Sequence, residues 1–335
     1  MRRIAILITI VLAACLKVAA SILPPQAPPG RTDVEKRGRH LVQIAGGCGC
    51  HGPNFAGWRP GGPDTFPRAA PYGERFVTPD GSVPAPNITP DVDTGIGRWT
   101  DDQITRAIAD GVGPSGAKLN PIMPYNSYAG MTSDDVHAIV AYLHCLRPVH
   151  NVVPESTITS PHPSPPERVQ PESSGMKTEA KWPAAVKDAG DQGRYLVRNV
   201  SSCADCHGDD LAGKVMKMGG ESIVTPNLTS GGGVGRWSRA DVARYLRTGS
   251  RPDGGLAQDP MAGLILSSFS HYTADEASAV ASYLKSLPAV ESRAVMPTKA
   301  RGELLRDKMT ARGRSHRKYL YAVVSVCGLA ARWHS

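Results

Sequence analysis

A chain of 335 residues with seven cysteines and a formal net charge of +8 is long enough for two small domains plus extensions. From Glu291 onward it holds ten Lys/Arg against three Asp/Glu, and Arg2, Arg3 and Lys17 stand in the first 24 residues, so everything between carries about −2. That distribution excludes a nucleic-acid surface on the body of the protein and leaves a basic tail suited to anionic lipid or an acidic partner. At the N-terminus, Arg2-Arg3, the apolar run Ile4–Ala14 and the small residues Val18-Ala19-Ala20 read as a secretory signal. Leu12-Ala13-Ala14-Cys15 also fits a lipid-attachment box, and residues 4–23 are just long enough for a retained anchor.

A helix is expected around Gly38-Arg39-His40-Leu41-Val42, followed by Cys48-Gly49-Cys50-His51. Gly49 offers the backbone freedom that so tight a connection needs. Residues 58–83 are rich in Gly and Pro and read as a loop with one small hairpin near Phe76–Val83. Pro86-Asn87-Ile88-Thr89 leads to Gly97-Arg98-Trp99. Thr100-Asp101-Asp102-Gln103 is a capping box for a helix with Ile104, Ala107 and Ile108 on its apolar face and Gly111 as its stop. Met123-Pro124-Tyr125 follows. A third helix starts at Thr132-x-x-Asp135, carries Val136, Ile139, Val140 and Leu143, and ends before Pro148. Residues 152–184, dense in Pro, Ser and Thr, form an extended linker.

Beyond the linker the same features return. Gly193-Arg194-Tyr195-Leu196-Val197 lies ten positions before Cys203, as Gly38 does before Cys48. Pro226-Asn227-Leu228-Thr229 and Gly235-Arg236-Trp237 repeat the earlier turn. Ser238 caps a helix striped with Val242, Tyr245 and Leu246 and ended by Gly249, and Thr273-x-x-Glu276 opens the last helix. The second copy carries Cys203-Ala204-Asp205-Cys206-His207, the attachment pattern of a c-type haem, with two thiols for thioethers and an imidazole for the iron. In the first copy the thiols Cys48 and Cys50 are one residue closer, and His51 keeps its place after the second. Whether both or only Cys50 bond the haem stays open. Trp99 to Met123 and Trp237 to Met261 are both 24 positions. Matched offsets point to Met123 and Met261 as distal ligands opposite His51 and His207, with Met131, unmatched by any Met, as a competitor. Asn87-Thr89 and Asn227-Thr229 suit either haem propionates or turn capping. His40, His137, His144 and His271 read as surface or helix-packing residues.

These motifs, with Asn87-Ile88-Thr89-Pro90-Asp91 and Thr94-Gly95-Ile96-Gly97-Arg98-Trp99, resemble the cytochrome subunits of membrane-bound quinoprotein alcohol dehydrogenases and flavoprotein sugar-acid dehydrogenases. The likeness covers roughly residues 33–150 and 188–290; those subunits usually carry three haem domains. The resemblance implies an all-α fold of two tandem class I cytochrome c domains, residues 32–151 and 185–290, each about three helices around a covalently attached haem. Residues 1–24 are then signal or anchor and 291–335 the basic tail. Two haem c groups with His/Met ligation leave no open iron site, so the chain reads as a periplasmic or membrane-attached carrier of single electrons rather than an enzyme. Its donor would be a dehydrogenase and its acceptor an oxidase or another cytochrome. The shortened Cys48-Gly49-Cys50 loop keeps open a dihaem peroxidase or thiosulfate-oxidising cytochrome with one atypical site. A redox subunit that mainly anchors a catalytic partner is the third class.

Overall fold

The computed structural model describes residues 32–46, 48–52, 54–59, 73–78, 81–158, 189–218 and 221–292. The expected signal or anchor at 1–24, most of the 152–184 linker and nearly all of the basic tail lie outside the described residues. In the first repeat, α1 (Asp33–Ile44) starts at a capping box in which the Thr32 hydroxyl accepts from the Glu35 amide and Glu35 accepts from the Thr32 amide. A 3-10 turn at Cys48–His51 follows, then a hairpin of β1 (Arg75–Thr78) and β2 (Gly81–Pro84). Next come α2 (Asp101–Asp110), the short α3 (Tyr125–Tyr128) and α4 (Ser133–His144).

The second repeat runs in the same order. Helix α5 (Ala189–Tyr195) passes into a π turn, Leu196–Val200, and α6 (Cys203–His207) carries the Cys-x-x-Cys-His motif. The hairpin of β3 (Val215–Met218) and β4 (Glu221–Val224) precedes a 3-10 turn at Gly233–Arg236 and α7 (Arg239–Thr248). Helix α8 (Met261–Ser267), a 3-10 turn at Phe269–His271 and α9 (Ala274–Ser286) complete it.

The fold is mostly α rather than wholly so, because each repeat contains a two-stranded hairpin. One hairpin was expected near Phe76–Val83. The second was legible in Val215-Met216-Lys217-Met218-Gly219-Gly220-Glu221, where Gly-Gly between β-prone residues is a two-residue hairpin signal. The capped helices follow their sequence cues. The Thr100 and Gln103 pair forms its box, Gly111 stops α2 at φ +61°, and Gly249 stops α7 at φ +73°. Ile104, Ala107 and Ile108 are buried, as are Val242 and Leu246, while Tyr245 is half-buried edge-on to Trp237.

Two glycines show why Gly-Arg-x-Leu-Val occurs twice. A Cβ at Gly38 would sit 1.8 Å from the Ala138 carbonyl oxygen, and one at Gly193 2.1 Å from that of Ala279. Each marks the crossing of a repeat's first helix over its last, where the backbones touch and no side chain fits. Leu41 and Ile44 then pack inward from α1, and Leu196 and Val197 from the π turn that continues α5. The apolar cluster they join is continuous across both repeats, taking in Met131 from one and Phe269 from the other.

Candidate functional site

Both Cys-His loops are followed by one backbone path. After His51 come Gly52, Phe55 and Gly57 at φ +84°, +58° and +81°; after His207 come Gly208, Leu211 and Gly213 at +84°, +58° and +85°. The Gly57 amide returns to the His51 carbonyl at 2.9 Å, and the Gly213 amide to the His207 carbonyl at 2.8 Å. The one-residue deletion in the first loop is absorbed before the histidine. In the second repeat the turn is α, with the Gly208 amide on the Ala204 carbonyl. In the first it is 3-10, with the Gly52 amide on Gly49, so a shorter loop winds tighter and delivers its imidazole to the same place. Gly49 is not left-handed and a Cβ there would meet nothing, which corrects the reading that its freedom is needed; the positive φ falls at Gly52 instead. The Cys48 side chain lies outside the described residues.

Each imidazole is held by one hydrogen bond. Nδ1 of His51 donates to the Pro86 carbonyl at 2.8 Å, and Nδ1 of His207 to the Pro226 carbonyl at 2.7 Å. Burial pushes both rings below the ordinary histidine value, and the carbonyl bond only partly opposes it, so both are neutral. With the proton fixed on Nδ1, the lone pair of Nε2 is the one offered to a metal. Neither Pro86 nor Pro226 could be singled out from sequence, since the acceptor is a backbone group 35 and 19 residues downstream. The available signal was the repeated Pro-Asn-x-Thr that carries it.

That repeat is structural. Asn87 Oδ1 accepts from the amide and hydroxyl of Thr89, while its Nδ2 donates to Thr94 Oγ1 and the Val149 carbonyl. Asn227 does the same with Thr229, the Val290 carbonyl and Ser292. The oxygens of these amides brace the turn that presents the proline carbonyl, and their nitrogens fasten onto it the chain beyond the last helix, at Val149 in one repeat and at Val290 and Ser292 in the other. Of the two roles open from sequence, turn capping is the one observed.

Met123 and Met261 are half-buried against the core, each following a repeated β-bridge (Val112 to Lys118, Ser250 to Leu256): Met123 lies two residues before α3, and Met261 is the first residue of α8. Met131, the competitor, is fully enclosed and shares its offset with the buried Phe269, so it is core filling. Trp99 and Trp237 are half-buried against the same core.

Burial raises the Cys203 thiol to about 12, with the neighbouring Cys206 and Asp205 adding to the shift, and Cys206 is raised too. Such thiols are not the low-pKa thiolates of a redox Cys-x-x-Cys. Among the described residues no three His, Cys, Asp or Glu side chains converge as a zinc site requires. What remains is a group that bonds two thiols side by side and takes one neutral imidazole, and a haem fits. Beside the first loop, the Trp58 indole N–H is buried with no acceptor among the described residues, and Glu74 has a buried oxygen with no donor among them. Burial lifts the Glu74 carboxyl to about 7.

The family profile described as cytochrome c matches residues 191–288. The chain is 32% identical over 281 residues to the gluconate 2-dehydrogenase cytochrome c subunit of Pantoea cypripedii, covering 77% of this chain and 60% of that one. It is 30% identical over 282 residues to the cytochrome c subunit of the quinone alcohol dehydrogenase of Gluconobacter oxydans, covering 76% and 55%. A dihaem c-type cytochrome of Cereibacter sphaeroides is 30% identical over 286 residues, covering 80% and 90%. The chain thus spans less than two thirds of the two dehydrogenase subunits and nearly all of the dihaem protein.

Proposed function

This chain belongs to the cytochrome c family, and from that premise we propose that it is a two-haem carrier of single electrons, built as two tandem cytochrome c domains. Cys203 and Cys206 hold one haem and Cys50, with Cys48, the other; His207 with Met261 and His51 with Met123 close the two irons. A haem bound in this way supplies a reversible one-electron couple. The chain's own residues enclose His51, hold His207 half-buried and fix the proton of each ring on Nδ1. With a His and a Met holding each iron, no place would be left there for a substrate, so the chain would relay electrons and not catalyse.

The observation that carries this reading is the pair of identical His–Pro carbonyl contacts, 2.8 Å and 2.7 Å, reached by the same backbone path in both repeats. The names of the relatives support a dehydrogenase as donor; an oxidase or another cytochrome is the acceptor proposed with it. A periplasmic setting follows from the expected export signal. No helix among the described residues is long and apolar enough to cross a membrane.

The test is a pair of substitutions. Met123→Ala and Met261→Ala should each abolish one ferric far-red sulfur band and open one iron to cyanide, with covalent haem retained. Rapid cyanide binding and peroxide turnover by the native protein would instead select the peroxidase class.

A further inference from the structure

The two repeats meet through contacts that cross. His40, on α1 of the first repeat, sets Nε2 at 2.8 and 2.9 Å from the two carboxylate oxygens of Glu276 on α9 of the second. Tyr195 stands in the second repeat where His40 stands in the first, and Asp135 stands where Glu276 does, three residues past the N-cap. The Tyr195 hydroxyl donates to Asp135 Oδ2 at 2.7 Å, and Asp135 is also gripped by Arg37 at 2.9 and 3.0 Å. Position i of each repeat therefore binds position j of the other, the signature of an isologous two-fold interface. Glu276, Asp135 and Tyr195 are all buried there.

Other contacts obey the same exchange. The π turn of the second repeat rests on α3, and the 3-10 turn Phe269–His271 rests on α1. The Asn199 amide donates to the Ser127 carbonyl at 3.1 Å, and a Cβ at Gly130 would lie 1.9 Å from that amide nitrogen. Ser127 Oγ donates to Asp205 Oδ1 at 3.0 Å. Asp205 lies between Cys203 and Cys206, and Ser127 lies four residues after Met123. On the opposite side a Cβ at Gly46, which leads into the first Cys-His loop, would come within 3.9 Å of Phe269 and 4.0 Å of Leu264, both beyond Met261. Each attachment loop thus faces the methionine segment of the other repeat.

We propose that His40, Glu276, Tyr195 and Asp135 are positioning residues that clamp the two sites at one fixed separation, and that Ser127 with Asp205 joins them, so that an electron passes between the sites inside the chain. This rests on the two-haem reading above. The transfer oxidises one iron from ferrous to ferric and reduces the other from ferric to ferrous, with no bond made and no proton moved. Tunnelling decays exponentially with distance, so a clamp whose four main residues lie outside both attachment motifs still sets the rate.

The test uses the full-length holoprotein. His40→Glu places two carboxylates together in a buried site, which cannot both stay charged. Expected are an enlarged radius in X-ray scattering, equilibration between the sites slowed at least tenfold after substoichiometric photoreduction, and unchanged haem content. Adding Glu276→Gln, which keeps an N3 capping side chain, should restore both compactness and rate. Should His40→Glu fail to fold, Gly130→Ala wedges the same interface through Asn199 and should slow equilibration in the same way. Unchanged equilibration in an opened protein overturns the proposal, as does an unchanged radius and rate in both variants. A native protein with one haem would refute the two-haem reading and the exchange with it, while scattering would still report on the clamp.

Discussion

Asn227→Ala should lower stability and raise the potential of one haem only. The substitution removes four hydrogen bonds, to the Thr229 amide and hydroxyl at 2.8 Å each, the Val290 carbonyl at 2.7 Å and Ser292 Oγ at 3.1 Å. Thr229 is 1% exposed, so its amide is stranded away from water. One buried orphan donor costs about 1–3 kcal/mol, and the three other bonds roughly 0.5 kcal/mol or more each. The expected loss is about 3 kcal/mol, a large share of a typical 5–15 kcal/mol total. The functional effect follows from the neighbouring Pro226 carbonyl, which holds Nδ1 of His207. Loosening it makes the imidazole a poorer electron donor, which disfavours ferric iron and raises the midpoint. Denaturant unfolding followed by far-UV circular dichroism reads the first effect, and spectroelectrochemical titration the second. A loss under about 1 kcal/mol with both midpoints unmoved would refute the reasoning. Asn87→Ala should shift the other haem.

Glu74 binds a proton more tightly in the folded chain than its ordinary value of 4.5 allows, at about 7, so the native state is penalised as pH rises through that window. Glu74→Gln should therefore stabilise the protein at pH 8, by at most about 3 kcal/mol, and not at pH 4, as denaturant midpoints at the two pH values would show. Gly49→Ala should change stability by less than about 0.5 kcal/mol and leave the first haem in place, since a Cβ there meets nothing; thermal melts and a haem stain check it. Gly38→Ala should instead block folding or lower the melting temperature by well over 5 °C, because its Cβ would overlap the Ala138 carbonyl; calorimetry decides.

The parts of this fold legible from sequence were those written locally. Thr100, Gln103 and Gly111 announce α2 without help from the rest of the chain, and Thr273 with Glu276 announces α9. The Cys-x-x-Cys-His motif and the 24-residue Trp-to-Met spacing name the candidate site because ligand chemistry fixes residue type. What stayed hidden depends on backbone atoms brought from afar. The proline carbonyls that orient His51 and His207 have no side-chain signature, and the glycines of Gly-Arg-x-Leu-Val mark a helix crossing that only the packed pair reveals. His40 read as a surface or packing residue, and only tertiary structure sets it against Glu276. The second hairpin has only a local signal, the Gly219-Gly220 pair between β-prone segments, with no hydrophobic alternation long enough to outweigh the helical pattern around it.

The most direct test of the two-haem claim is the intact mass of the purified full-length chain under denaturing conditions, before and after Cys203→Ala/Cys206→Ala. The account predicts two covalent haem increments on the native chain and one on the variant, retained through Cys50 at the first site. A single increment that disappears in the variant would contradict it, leaving the tightened Cys48–His51 turn as a loop that holds no haem.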